Sequence, residues 1–133
     1  MAVQFSDAVR NAELDSIEVT VGTSAVLKLR TGAQPANVAA ADSGTVVATL
    51  ALPADWMSAA AAGVKSKLGT WEDASADNAG TIAHWRLYQS NGTTAHAQGT
   101  AGTSGTDLIL DNNVVLAGQD ILITAWAFTC GNP

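Results

Sequence analysis

Apolar and polar positions alternate over short runs separated by turn residues along most of the chain, while the N-terminal segment follows a helical period. Ser6 can cap a helix opening at Asp7, because its hydroxyl can accept a free N–H of the first turn. Val9, Ala12, Leu14 and Ile17 give that helix a partly apolar face, and it is expected to end before Gly22. Residues 25–30, AVLKLR, read as a strand with Leu27 and Leu29 on one face and Lys28 and Arg30 on the other, stopped by Gly32 and Pro35. Residues 33–44 read as a connecting loop. TVVATLAL then places Val46, Ala48, Leu50 and Leu52 on one face of a second strand, which Pro53 ends.

The stretch DWMSAAAAGVKSKLGTWED is ambiguous: its four consecutive alanines favour helix, but Gly63, Gly69 and the alternating Lys65 and Lys67 favour a strand over residues 64–72. A polar loop, EDASADNAG, leads into GTIAHWRLYQSNGTTAHAQGT, two strands around an Asn91-Gly92 turn. After a glycine-rich hairpin tip at 99–106 come TDLILD, an Asn112-Asn113 turn, VVLAGQ and DILITAWAFT. In that last run Leu122, Thr124, Trp126 and Phe128 oppose Ile121, Ile123, Ala125 and Ala127, and both faces read as buried. The pattern predicts a mainly β chain: an antiparallel β-sandwich or jelly roll of about seven to eight short strands with one short N-terminal helix over an edge or open end. No internal repeat or dividing linker is visible, so residues 1–133 are expected to form one domain.

Composition sharpens this picture in three ways. Hydrophobic residues make up 47% of the chain, enough for a core, but they are mostly Ala, Val and Leu, so the four Trp, two Phe and one Tyr supply the large side chains. A net charge of −6 provides no basic stripe for a phosphate backbone, which argues against direct nucleic-acid binding. The one cysteine, Cys130, cannot form an intrachain disulfide. MAVQFSDAVRNAELD lacks the charged and apolar regions of a signal peptide, and no apolar run approaches the roughly 18 residues of a membrane span. Synthesis and folding in a cytoplasm, without a membrane partner, is the expectation.

The two histidines raise the question of a site. A two-residue turn at Asn91-Gly92 pairs His96 with Leu87 and Ala95 with Tyr88, which puts His96 on the face of Ala83, Trp85 and Leu87. His84 then projects to the other face, with Ile82, Arg86 and Tyr88. A three-residue loop with a bulge would restore both to one face, but two imidazoles still fall short of a zinc ligand set. They are read as surface or interface histidines whose replacement by alanine leaves folding intact. Asp73, Ser75 and Asp77 alternate as calcium ligands do, but Asn78 and His84 stand where such a loop needs Gly and Glu, so Asx turns are the simpler reading. GTAGTSGT lacks the Lys of a phosphate loop. Glu72 and Asp73 lie on opposite sides of an extended chain and read as solvated loop ends. No nucleophile is placed with a base. No catalytic, cofactor-binding or metal-ligating residue is assigned, and the chain is read as non-enzymatic. Trp56, Trp71, Trp85 and Trp126 could stack on sugars, but core use is the stronger reading.

LPADWM at 52–57, GTWEDASADNAGT at 69–81, HWRLYQSNGTTAHAQGT at 84–100 and LAGQDILITAWAFTCGN at 116–132, with RTGAQPAN at 30–37, resemble a group of small proteins encoded among the structural genes of tailed bacteriophages and prophages. The resemblance covers most of the chain. It implies a virion structural protein, first of all a multi-copy capsid decoration or cement protein, with a neck, tail or fibre component next and a carbohydrate-binding, receptor-binding module as the alternative of another class. Partners would be other virion proteins, the major capsid protein or those of the neck and tail, and self-association, with a trimer among the expected forms, is predicted from Ala- and Val-rich strands with few edge charges. Truncation after Gly118 is expected to abolish folding, because it deletes large core side chains worth more than the ~5–15 kcal/mol margin of a typical domain. A soluble truncated chain with a cooperative urea transition would contradict this.

Overall fold

The structure, a computed structural model, describes residues 3–131. Helix α1 spans Asp7–Val21 and keeps both expected ends: Ser6 Oγ accepts from the Val9 N–H at 3.3 Å, and Gly22, at φ 89°, closes it by donating to Glu18 O. Its buried face is different from the expected one. Leu14 and Val21 are buried and Ile17 is half-buried, whereas Val9 and Ala12 face solvent. The cause is polar docking: Asn11, Asp15 and Glu18 accept from the backbone N–H groups of Gly63, Ala60 and Met57, which turns Val9 and Ala12 outward.

Ten strands follow among the described residues: β1 Val26–Thr31, β2 Val46–Ala51, β3 Val64–Ser66, β4 Trp71–Asp73, β5 Gly80–Tyr88, β6 Ala95–Gly102, β7 Leu108–Ile109, β8 Val114–Val115, β9 Ile121–Ile123 and β10 Ala127–Thr129. The main sheet has the order β2-β1-β5-β6-β7, with β8 on the first residues of β5, while β3 pairs with β10 and β4 with β9. The class is as expected, mainly β and sandwich-like with curled antiparallel sheets. There are more strands than seven or eight because two expected strands are each broken. Gly69, at φ 73°, divides 64–72 into β3 and β4, which pair with different partners. The run 120–129 divides likewise into β9, which pairs with β4, and β10, which pairs with β3 and continues its ladder through the Lys67 N to Trp126 O bond. Nor is 99–106 a hairpin tip: Asp107 Oδ2 accepts from Thr100 N at 2.8 Å and from its Oγ1 at 3.0 Å, folding the chain back so that β7 runs parallel to β6.

Three bulges curl the main sheet. Leu29 pairs with Ala48 but Arg30 with Val46, so Val47 is the extra residue and Val46 joins the face opposite Ala48 and Leu50. Arg30 pairs with His84 but Thr31 with Ile82, so Ala83 is extra and Ile82 turns to the core instead of lying with His84. Leu87 pairs with Ala97 and Tyr88 with Ala95, which makes His96 the bulged residue and corrects the expected His96–Leu87 pair.

The core lies between the main sheet and the two small pairs. Leu27, Leu29, Ala48, Leu50 and Leu87 meet Trp71, Ile121, Ile123 and Trp126 there. In β9 only Ile121 and Ile123 point inward; Leu122, expected in the core, is 51% exposed, and Phe128 is half-buried. The four indoles run across the layers, with Trp56–Trp71, Trp71–Trp126 and Trp126–Trp85 ring centroids 6.1, 5.3 and 4.6 Å apart, the last two edge-to-face. Trp85 fits because its cross-strand partner is Gly99. A Cβ there would stand 2.7 Å from two carbons of the Trp85 ring and 2.8 Å from Asp107 Oδ2. Gly99→Ala is therefore expected to destabilise by ~1–3 kcal/mol, as overpacking does. The cost should shrink in a Trp85→Leu background, and equal costs in both backgrounds by urea titration would show the clash to be irrelevant.

Candidate functional site

The densest set of polar side chains lies on the face of the main sheet opposite the tryptophans. Alternation along β1 and β5 puts Lys28, Arg30, His84, Arg86 and Tyr88 on that face, and the 33–44 loop lies across it. Arg30 and Arg86 are only 6% and 1% exposed and Tyr88 is fully buried. Asp42 serves all three. Arg30 Nη2 donates to its Oδ2 at 2.8 Å, the Tyr88 hydroxyl donates to its Oδ1 at 2.8 Å, and Arg86 Nη1 is hydrogen-bonded to the same Oδ1. Loop carbonyls take further donors: Ala40 and Val38 accept from Arg86, Ser43 accepts from Arg30, and Pro35 accepts from Gln98, while the Nε atoms of both arginines are buried without a partner. Partial burial pushes the Asp42 carboxyl up, but Tyr88, Arg30 and Arg86 more than offset this and hold it below the usual carboxylate range.

His84 is fully buried, which overturns its reading as a surface or interface histidine. Its Nδ1 lies 2.7 Å from Gly32 O; a carbonyl can only accept, so Nδ1 carries the proton. Nε2 is then a buried acceptor with no partner. Burial, reinforced by the Arg30 and Arg86 charges, holds the imidazole below its ordinary pKa despite the bond to Gly32. His96 is half-buried on the other face of the sheet, in a 330 Å³ cavity with Ser16, Thr20 and Phe128. The two imidazoles are thus on opposite faces, as expected, although the bulge gives His96 a different partner.

The Asp-rich loop is a structural clamp. Asp73 accepts from Ser75 N, an Asx turn as expected, and with its other oxygen from Thr49 N on the edge of β2. Asp77 accepts from Thr49 Oγ1, and Asn78 donates to Val46 O. Asp73 is therefore a strand-edge cap and not a solvated loop end. Glu72 points away from it, and the charge of Asp120 raises the pKa of its exposed carboxyl. On the helix side Lys65, 2% exposed, donates to Asp15 Oδ1 and Ser58 O and pairs with Glu18 Oε2 at 3.0 Å. Cys130 Sγ lies 3.1 Å from Glu13 Oε2, and that contact raises the pKa of its thiol. Among the described residues no group of three His, Cys, Asp or Glu side chains could hold a metal ion, and no helix is long and apolar enough to cross a membrane. All four indoles are at most 9% exposed, so none offers a ring face to a sugar.

Sequence reasoning left Asp42, Arg30, Arg86, Tyr88 and Lys65 unassigned. A partial signal existed: alternation puts Arg86 and Tyr88 on one face of β5 and Arg30 on the polar face of β1, but bringing these together with Asp42 needs the strand register. No protein-family model, curated protein or solved structure matches the chain.

The pKa directions set an order for acid unfolding. Below an unfolded pKa near 6.5 the unfolded chain protonates His84 while the folded chain does not, so stability falls as pH drops from there to the lowered folded value. The contribution of Asp42 is complete above its unfolded value of 3.8 and is lost only as pH falls through its lowered folded pKa. Urea midpoints measured against pH should therefore fall in two stages, and His84→Gln should remove the upper one. Asp42→Ala should cost about 3 kcal/mol or more at pH 7, because it leaves two buried guanidinium groups uncompensated. A single acid transition unchanged by His84→Gln, or an Asp42→Ala cost under about 1 kcal/mol, would contradict this account.

Proposed function

We propose that the chain is a non-enzymatic virion structural protein of a tailed bacteriophage, most specifically a multi-copy decoration or cement protein on the capsid exterior. One observation carries the reading. The stretches that resemble phage structural proteins are those that build the scaffold: Leu52, Trp56 and Met57 in the first, Trp71 with the Asp73 and Asp77 clamps in the second, Trp85 to Tyr88 in the third, and Ile121, Ile123 and Trp126 in the fourth. The chain's polar clusters support the same reading, since the Asp42, Lys65 and Asp73 groups are each bonded to this chain's own backbone or charges.

A building block also needs a surface for its neighbours. Val114 and Leu116 are 58% and 70% exposed, and β8, which ends between them, pairs on one side only, with β5. Ile109 on β7, at the edge of the main sheet, is 54% exposed. Apolar side chains at open strand edges suit burial against a capsid surface or further copies of the chain, including a trimer. The buried indoles weigh against the carbohydrate-binding alternative. In this reading the protein is made in the host cytoplasm and resides in the virion.

Purified particles of the encoding phage should hold hundreds of copies by quantitative mass spectrometry against the major capsid protein. Particles lacking it should lose infectivity faster under heat or osmotic shock. A few copies confined to the neck or tail would move the chain to that position, and absence from particles would end the virion reading.

A further inference from the structure

A groove of about 720 Å³ runs between the C-terminal half of α1 and residues 54–59. Its walls are mainly apolar: Val19 and Leu68 flank it, 81% and 41% exposed, over a floor that includes the buried Met57. A valine so exposed on a helix, facing an exposed leucine across a concave surface, is a natural seat for an aliphatic side chain.

The groove also carries uncompensated negative charge. Asp15, Glu18 and Asp55 line it with a single cation, Lys65. The three protons of the Lys65 ammonium are already directed to Asp15, Glu18 and Ser58 O. Asp55 makes no ion pair, and the Lys65 charge, bonded to Asp15 and Glu18, acts on it only at a distance. Its carboxyl contacts that of Glu18, which raises the Asp55 pKa, as expected of two like charges held together. A cation seated between them would relieve that repulsion.

A second copy of the chain is poorly equipped to supply it. All six Lys and Arg side chains are engaged within their own chain: Arg10 with Asp7 and Cys130 O, Lys28 with Gly92 O, Arg30 and Arg86 with Asp42, Lys65 as above, and Lys67 with Gly69 O. We propose that the groove docks a segment of a different protein that presents an arginine or lysine beside an aliphatic side chain. The cation lies between Glu18 and Asp55, and the aliphatic group packs on Val19 and Leu68. This inference rests on the groove's chemistry alone and stands apart from the virion reading.

The test uses the full chain and the dipeptide N-acetyl-Leu-Arg-amide, followed by backbone amide NMR shifts. Saturable shifts should cluster at Glu18, Val19, Asp55 and Leu68, and the citrulline analogue, which keeps the shape without the charge, should give none. Asp55 and Val19 are both exposed, so Asp55→Asn and Val19→Ser should remain folded by circular dichroism. Each should weaken binding about fivefold or more, on the scale of one charge-assisted bond or one buried aliphatic contact. Asp111→Asn, an exposed acid outside the groove, should not change it. The proposal is overturned by shifts spread over the acidic surface, an equal response to the citrulline analogue, indifference to Asp55→Asn, or absence of binding. Self-association through the groove, seen as sedimenting dimers that Val19→Asp dissolves, would overturn the choice of a different protein as the occupant.

Discussion

Arg30 and Arg86 sit on neighbouring strands with almost no solvent contact, and an isolated buried guanidinium would cost several kcal/mol. Asp42 removes that penalty for both at once while also accepting from the Tyr88 hydroxyl. Its position explains the irregular shape of residues 33–44. To reach Arg30 and Arg86 with one carboxylate and with the carbonyls of Val38, Ala40 and Ser43, the loop must aim successive backbone oxygens at the sheet, which a regular strand or helix does not do. The loop thereby becomes the second layer on that face, held by charge and hydrogen bonds and not by apolar area. With Arg10, Lys65 and the two sheet arginines committed to internal bonds, the remaining carboxylates leave the exterior acidic.

The opposite face solves a different problem, that of filling a core with few large side chains. Alanine and glycine on the sheet, Ala48, Ala101 and Gly99 among them, leave deep spaces, and the four indoles occupy them in one contiguous chain. The polar ends are anchored where possible: Trp56 Nε1 donates to Gly22 O at the helix terminus and Trp71 Nε1 to Leu68 O. Trp56 therefore couples the end of α1 to the core. The bulges at Val47 and Ala83 lie side by side across β1, where the sheet must curl to let Ile82 and Val47 reach the interior.

Local signals that depend on one element's own chemistry were legible. Ser6 and Gly22 bound the helix, alternation in AVLKLR separated Leu27 and Leu29 from Lys28 and Arg30, and the scarcity of Phe and Tyr pointed to tryptophan as core filler. What failed needed knowledge of the partner. A bulge changes which residues share a face or a partner without leaving a mark in the period, so Val46 and Ile82 lie on other faces than expected and His96 loses its expected partner Leu87. Short strands such as β9 and β10 read as one run because the break between them reflects their different partners, β4 and β3, which lie far away in the sequence. Asp42 looked like an ordinary loop acid, and its role exists only because two arginines from distant positions meet it.

The helix shows how far polar docking can replace a hydrophobic stripe. Three of its side chains, Asn11, Asp15 and Glu18, satisfy backbone N–H groups of residues 57–63 that no strand partner reaches, and Arg10 holds Cys130 O from the same side. Each such bond is worth only ~0.5–1.5 kcal/mol net, but leaving its buried donor or acceptor unpaired would cost more. The arrangement thus fixes the orientation of the helix more than it adds to stability. That orientation is why Val9, Ala12 and Val19 stay outside although they lie on a helix that closes one end of the domain. A helix docked by its apolar stripe would have buried them. Docked by its polar side, it keeps an exposed aliphatic edge next to the carboxylates that hold it, so the forces that place α1 also produce a groove where apolar surface and excess negative charge adjoin.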